Sequence, residues 1–201
     1  MEGDFLDTVL RFYKEQKWKE VLDLSLVESA VTRKLVWVWP SENNLLLIKH
    51  IIRDFRLSGV ISIGCGSGLF EWLLEKYSGF PVKGYEVNES WWLSKYSTPQ
   101  FIKLNFPELP PTRDILEPNY ALLFCYFNDG DAFREYIRCY EGDFVFIIGP
   151  GLGAGRHTDP EPFNPNFGSP DWLLYKSQEV RDTKDFIAVY ARLRTINNPH
   201  Q

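Results

Sequence analysis

The ten residues Ile61-Ser62-Ile63-Gly64-Cys65-Gly66-Ser67-Gly68-Leu69-Phe70 constrain the fold more than any other part of this chain. An apolar, β-branched run leads into three glycines at alternate positions, and a helix-like segment follows at once. This spells strand, tight turn, helix. Glycines in such a turn let backbone N–H groups and the positive end of the following helix come close to a polar ligand. Glu86 closes the next strand-like run, 22 residues beyond Gly64. That spacing suits a carboxylate accepting hydrogen bonds from ribose hydroxyls. Together the two features point to an adenosine-containing ligand. The plainer alternatives are a strand-to-helix connection without a ligand and a solvated strand end.

The rest of the chain alternates in a way that fits this unit. Phe5, Leu6, Val9, Phe12 and Tyr13 recur at helical spacing, and a second helix is expected over 19–34. Residues 36–40 read as extended, because Pro40 excludes Trp39 from the helical region. Ser41 is a credible N-cap for a helix carrying Leu45, Ile48, Ile52 and Phe55. From 60 onward, strands are expected over 60–63, 81–87, 101–104, 120–127 and 144–148. Helices are expected over 69–77 and 131–140, with a short helix or turn over 91–96. The proline-rich stretch 107–118 connects without a long helix. Two further strands, 172–180 and 186–193, flank the polar turn Arg181-Asp182-Thr183-Lys184 and read as an antiparallel hairpin. The result is an α/β fold with a mostly parallel sheet. The stretch 149–170, rich in Gly, Pro and Asn, is too long for a plain connector and reads as functional or mobile.

Composition narrows the partners. Apolar residues make up 44% of 201 residues, enough for one sizeable core, and no apolar run is long enough to span a bilayer. The acidic N-terminus is not a signal peptide, and three widely spaced cysteines fit neither a disulfide framework nor a metal site. A reduced, cytoplasmic chain is the simplest expectation. A net charge of −5 argues against general attraction to bulk nucleic acid.

Three nucleotide folds compete for the glycine turn. A P-loop needs Gly-Lys-Ser/Thr at its end, and Gly68 is followed by Leu69. A dinucleotide fingerprint needs Gly or Ala where Leu69 stands. The spacing Gly-x-Gly-x-Gly instead resembles motif I of class I (Rossmann-like) S-adenosylmethionine-dependent methyltransferases, and the resemblance runs from about Trp39 to Leu193. Trp39-Pro40-Ser41, Leu122-Leu123-Phe124-Cys125-Tyr126, Tyr140-Glu141-Gly142-Asp143 and Asp171-Trp172 are similar to a poorly characterised methyltransferase-like branch. The resemblance implies one methyltransferase-like domain over 1–201, with an N-terminal helical cap over 1–58 and a cofactor-binding α/β core over 59–195. It also implies the family's closing antiparallel hairpin, S-adenosylmethionine as cofactor, and methyl transfer to a small-molecule or protein substrate. The alternative is an inactive relative that binds the cofactor or its demethylated product as a sensor or partner subunit.

Two departures from the family pattern stand out. Ser62 lies two residues before the first glycine, where the family usually has Asp or Glu; its hydroxyl can hydrogen-bond but carries no charge. The fourth strand ends in Cys125-Tyr126-Phe127-Asn128-Asp129, without the proline pair of methyltransferases that act on exocyclic amines.

Ligands of open α/β sheets lie beyond the carboxyl ends of the strands. The candidate cofactor-binding residues are therefore Ser62, Gly64, Cys65, Gly66, Gly68, Glu86, Asn105 and Tyr126. Asn105 would pair with the adenine edge or simply form a turn, and Tyr126 would wall the pocket or join the core. His157 is the histidine placed to act as a base, or else an exposed loop residue. Asn128 and Asp129 would orient a substrate, unless Asp129 caps the next helix. Trp39 and Arg156 are candidates for the substrate pocket, against burial and ordinary solvation respectively. Trp91 and Trp92 follow Glu86 closely and are candidate walls for adenine.

Overall fold

A computed structural model describes residues 2–24, 32, 35–107 and 114–197. Seven strands form one sheet: β1 (Gly59–Ile63), β2 (Val82–Tyr85), β3 (Leu104–Asn105), β4 (Tyr120–Cys125), β5 (Phe144–Pro150), β6 (Trp172–Val180) and β7 (Asp185–Arg192). Their order is β3-β2-β1-β4-β5-β7-β6. The first five are mutually parallel, while β7 runs antiparallel to both β5 and β6. A doubly wound dinucleotide fold has the order 3-2-1-4-5-6. Here the last strand, β7, is instead inserted beside β5 as the inner arm of a hairpin, and β6 is the outer arm. That is the closing hairpin expected of a Rossmann-like methyltransferase sheet.

Alternation along each strand divides the core between two faces. Val60, Leu123, Phe146 and Val189 share one apolar cluster with residues of the helices α1 (Glu2–Lys14), α2 (Trp18–Leu22), α3 (Glu42–Asp54) and α4 (Leu69–Ser78). Ile61, Leu122, Val145 and Ala188 face the other way, against Phe133, Tyr136 and Ile137 of α6 (Gly130–Cys139). A short α5 (Glu89–Trp92) follows β2, and α7 (Leu193–Asn197) follows the hairpin.

Ser41 starts α3 through a reciprocal cap: its hydroxyl accepts from the Asn44 N–H at 3.3 Å, and the Asn44 side chain accepts from the Ser41 N–H at 2.9 Å. Buried Asn44 then donates its amide to Glu179 O at 3.0 Å, tying α3 to β6. Arg181, in the hairpin turn, donates to Pro40 O at 3.0 Å and Leu22 O at 2.7 Å. The hairpin thus fastens the N-terminal segment, which forms one wall of the site below.

Several boundaries differ from expectation for identifiable reasons. Within the described residues the helix expected over 19–34 is represented by α2 and by a helical Thr32, whose carbonyl accepts from the Val36 N–H at 2.9 Å; residues 25–31, 33 and 34 lie outside them. The third strand is two residues long, because the Phe101 N–H is committed to Ser67 O at 2.8 Å and its ring is buried against Tyr13. β5 continues to Pro150, since Gly149 and Pro150 still pair with Phe186 and Asp185. The proline-rich connection is described only in part, residues 108–113 lying outside. The loop after β5 is packed rather than loose. Thr158 is buried, Phe167 stacks on Trp172 at 5.2 Å, and the Tyr190 hydroxyl donates to Pro162 O at 2.9 Å.

Candidate functional site

The turn after β1 lies where the strand order departs in opposite directions, toward β2 on one side and β4 on the other. Such a switch point leaves a crevice at the carboxyl edge of the sheet. The turn's glycines serve two different ends. Gly68 has φ 75°, and a Cβ there would lie 2.3 Å from Ile102 Cγ1, so this glycine permits close packing. Gly66 has φ 59°, and a Cβ there would meet nothing within 4 Å. It faces a cavity of about 420 Å³, within the range of small-molecule sites.

Gly64, Cys65, Gly66 and Ser67 line the cavity on one side, and Glu86, Trp91 and Trp92 on another. Cys125 and Tyr126 close it from β4, and Leu35, Val36 and Trp37 from the N-terminal segment. The Ser67 hydroxyl donates to Leu35 O, which fixes that segment to the turn. Glu86 spans the turn: one carboxylate oxygen accepts from the Gly66 N–H at 2.7 Å and the other from the Val87 N–H at 3.1 Å. Its own N–H is held by Asn105 O at 2.9 Å. Each carboxylate oxygen retains a lone pair for a further donor.

Glu71 is a functional candidate that reading of the sequence missed. It sits in the first turn of α4 and is 1% exposed. Ser62, buried under the turn, donates its hydroxyl to Glu71 Oε1 at 2.7 Å. Among the described residues Oε2 has no hydrogen-bond partner, although Glu71 lines the cavity. Burial pushes its pKa up to about 7; the Ser62 bond opposes that rise and the nearby Glu86 charge adds to it. The signal in the sequence is one carboxylate inside the otherwise apolar run Leu69-Phe70-Glu71-Trp72-Leu73-Leu74. A charge there is buried and costly unless something pairs with it.

Tyr126 leaves β4 with φ 52°, turning its ring toward the cavity. Its hydroxyl donates to buried Asp185 at 2.6 Å, and Arg156 contacts the same carboxylate at 3.2 Å. Burial, reinforced by Asp185, holds the Tyr126 phenol well above its ordinary pKa. Trp37 stacks on Tyr126 at 5.4 Å with 10° between ring planes, and is 56% exposed. Burial likewise raises the Cys65 and Cys125 thiols.

The remaining candidates lie elsewhere. Trp39 is buried, donating to Leu22 O at 3.4 Å and packed beside Phe5, so Trp37 and not Trp39 reaches the cavity. An unbroken extended run over 36–40 would place the two indoles on one face; instead the chain bends at Trp37 and Val38, and they part, Trp39 inward and Trp37 at the mouth. Asn105 turns its amide to Gly84 O at 2.9 Å, away from the cavity. Asn128 bridges to Asp159 in the loop after β5. His157 is largely exposed, 3.2 Å from Glu161, in a separate surface depression formed by that loop. Arg156 lines that depression too. Asp129 caps α6, accepting from the Ala132 N–H at 2.9 Å. Asp129→Ala is therefore expected to cost about 1 kcal/mol of stability in chemical denaturation and to leave ligand affinity at the cavity unchanged.

Among the described residues, no group of three His, Cys, Asp or Glu is placed to hold a metal ion. Among the same residues, no helix is long and apolar enough to cross a membrane.

No protein-family model matches the chain. No curated protein matches it either. Solved structures of similar fold include magnesium protoporphyrin IX methyltransferase from Synechocystis PCC 6803 with bound S-adenosylhomocysteine (11% identity, 92% of this chain and 99% of that one, TM-score 0.49). Others are an O-methyltransferase from Bacillus cereus (11%, 94% and 91%, TM-score 0.48) and human N-acetylserotonin methyltransferase (12%, 87% and 61%, TM-score 0.45).

Proposed function

We propose that this chain is an S-adenosylmethionine-dependent methyltransferase, with the cofactor held in the cavity at the glycine turn. The observation that carries this reading is the pairing of an open Gly66 with Glu86. A position with no neighbour for a Cβ faces the cavity, and the carboxylate at the end of β2, bonded to the Gly66 N–H at 2.7 Å, lines the same cavity. The donor set fits the cofactor. Glu86 has lone pairs for the ribose hydroxyls, Trp91 and Trp92 offer walls for adenine, and the Gly64–Gly66 backbone leaves room for the amino-acid part.

Bound there, S-adenosylmethionine supplies a methyl group activated by its sulfonium. This chain's share is then alignment and exclusion of water. Tyr126 is held rigid by Asp185, and with Trp37 it forms an aromatic wall at the mouth. A substrate nucleophile would enter past that wall. His, Lys and Arg are absent from the described lining, and the Tyr126 phenol stays protonated at neutral pH. Substrates that arrive as ready nucleophiles are accordingly the better fit.

With both lining carboxylates engaged by the turn and Ser62 and no His or Lys among the described lining residues, a second reading gains support, a protein that binds the cofactor or S-adenosylhomocysteine without turning it over. Calorimetry and labelled methyl transfer separate the two. S-adenosylhomocysteine is expected to bind, and Glu86→Gln to weaken it by about tenfold or more, the scale of a hydrogen bond to a charged group. Transfer of labelled methyl to a component of cell extract supports the enzyme; binding without transfer supports the sensor. Failure of both S-adenosylmethionine and S-adenosylhomocysteine to bind would rule out either.

A further inference from the structure

We propose that Glu71 is the ammonium-binding residue of this cavity: its free carboxylate oxygen pairs with the primary amine of the ligand's amino-acid part, and pairing expels a proton from the carboxyl to solvent. The inference rests on the reading of the cavity as an S-adenosylmethionine site. Its own basis is the charge arrangement.

At the family's usual acidic position stands Ser62, on β1, whose hydroxyl bonds to Glu71 on the facing helix. The negative charge at this corner is carried by α4, and Ser62 is its positioning residue. Glu71 Oε1 is occupied by that bond, while Oε2 is partnerless at 1% exposure in a residue that lines the cavity. A buried carboxylate oxygen left without a donor is costly in the empty protein. A cation supplied by a ligand removes that cost.

The surroundings select a cation over a neutral donor. The titratable groups that act on Glu71 or feel it are Glu86 at the end of β2, Cys65 in the turn and Cys125 at the end of β4. None of them carries positive charge, and no Lys, Arg or His is among the described lining residues. The described lining residues thus include two carboxylates and no counter-charge. In the empty protein, burial and the Glu86 charge keep Glu71 partly protonated near neutrality. An ammonium at Oε2 favours the ionised form. The proton that leaves the carboxyl passes to buffer, and the ligand amine keeps its own.

Two probes isolate this contact: S-adenosylhomocysteine, which carries the amine, and 5′-methylthioadenosine, a nucleoside thioether that lacks the amino-acid part. Calorimetry in buffers of different ionisation enthalpy is expected to show release of about half a proton at pH 7 with S-adenosylhomocysteine. Release should fall toward zero at pH 8, where Glu71 is already mostly ionised and the amine still protonated, and 5′-methylthioadenosine should give none at either pH. Glu71→Gln should weaken S-adenosylhomocysteine at least tenfold at pH 8 and change 5′-methylthioadenosine less than twofold. The second probe also reports whether the variant is folded, and proton release by the unaltered chain decides the matter if it is not. S-adenosylhomocysteine binding with no proton release, or equal weakening of both probes by Glu71→Gln, overturns the assignment of Glu71 and leaves the cofactor reading standing. If neither probe binds the unaltered chain, the cofactor reading fails and the assignment fails with it.

Discussion

Glu71→Gln is expected to stabilise the empty chain by about 3 kcal/mol at pH 8 and by less than about 1 kcal/mol at pH 5. In the folded chain burial raises the Glu71 pKa to about 7, whereas in the unfolded chain the carboxyl returns to its ordinary value near 4.5. Between those two values the unfolded state has lost its proton and the folded state still holds it. The stability associated with the protonated carboxyl is therefore complete below pH ~4.5, declines as pH rises, and is gone above pH ~7. Glutamine keeps the carbonyl that accepts from Ser62 and cannot ionise, so it is spared the decline. In a chain of this size the gain at pH 8 corresponds to roughly 6–12 °C in Tm. Thermal unfolding of both proteins at the two pH values checks it. An equal shift at both would assign the effect to packing and not to charge.

The cost and the proposed role of Glu71 have one origin. A carboxylate that destabilises the empty protein is one a ligand can relieve, and such groups concentrate at binding sites. The substitution that raises stability is thus the one expected to weaken binding, a trade-off familiar at functional positions.

The glycine turn, the capping Ser41, the buried β4 and β5 and the hairpin were all legible in the sequence, because each rests on local chemistry: backbone freedom, a side-chain cap, periodicity. The two-residue β3 was not, since Phe101 abandons the strand for a long-range bond to Ser67 O. The candidate site was read least well where the question was which way a side chain turns. Asn105, Asn128 and His157 all follow strands or enter loops at the right edge of the sheet, yet the Asn105 amide and the His157 ring find partners elsewhere, and Asn128 pairs through its backbone with Asp159. Trp37 and Trp39 are two residues apart, and only the packing of Trp39 against Phe5 and Leu22 decides which of them faces the mouth. Glu71 was hidden for a related reason. Its hydrogen bond runs to Ser62, nine residues earlier on a different element, so no linear motif contains the pair.

Gly66→Ala and Gly68→Ala are expected to fail in opposite ways although they alter the same motif. Both place a Cβ on a residue with positive φ, at a cost of about 1–2 kcal/mol each. At Gly68 the new methyl also lies 2.3 Å from Ile102 Cγ1, in a packed region where α4 leaves the turn. Overpacking there adds about 1–3 kcal/mol. The total, about 2–5 kcal/mol, is a large share of a typical domain's stability. At Gly66 the methyl meets no protein atom and projects toward the cavity, beside the N–H that holds Glu86. That variant should remain folded, with a denaturation midpoint slightly reduced, and should bind S-adenosylhomocysteine at least tenfold more weakly. Denaturation and calorimetry on the two variants measure both effects. If Gly66→Ala bound the ligand as well as the unaltered chain, the space beside that N–H would not be where the ligand lies. The turn would then be a connection between β1 and α4 and nothing more.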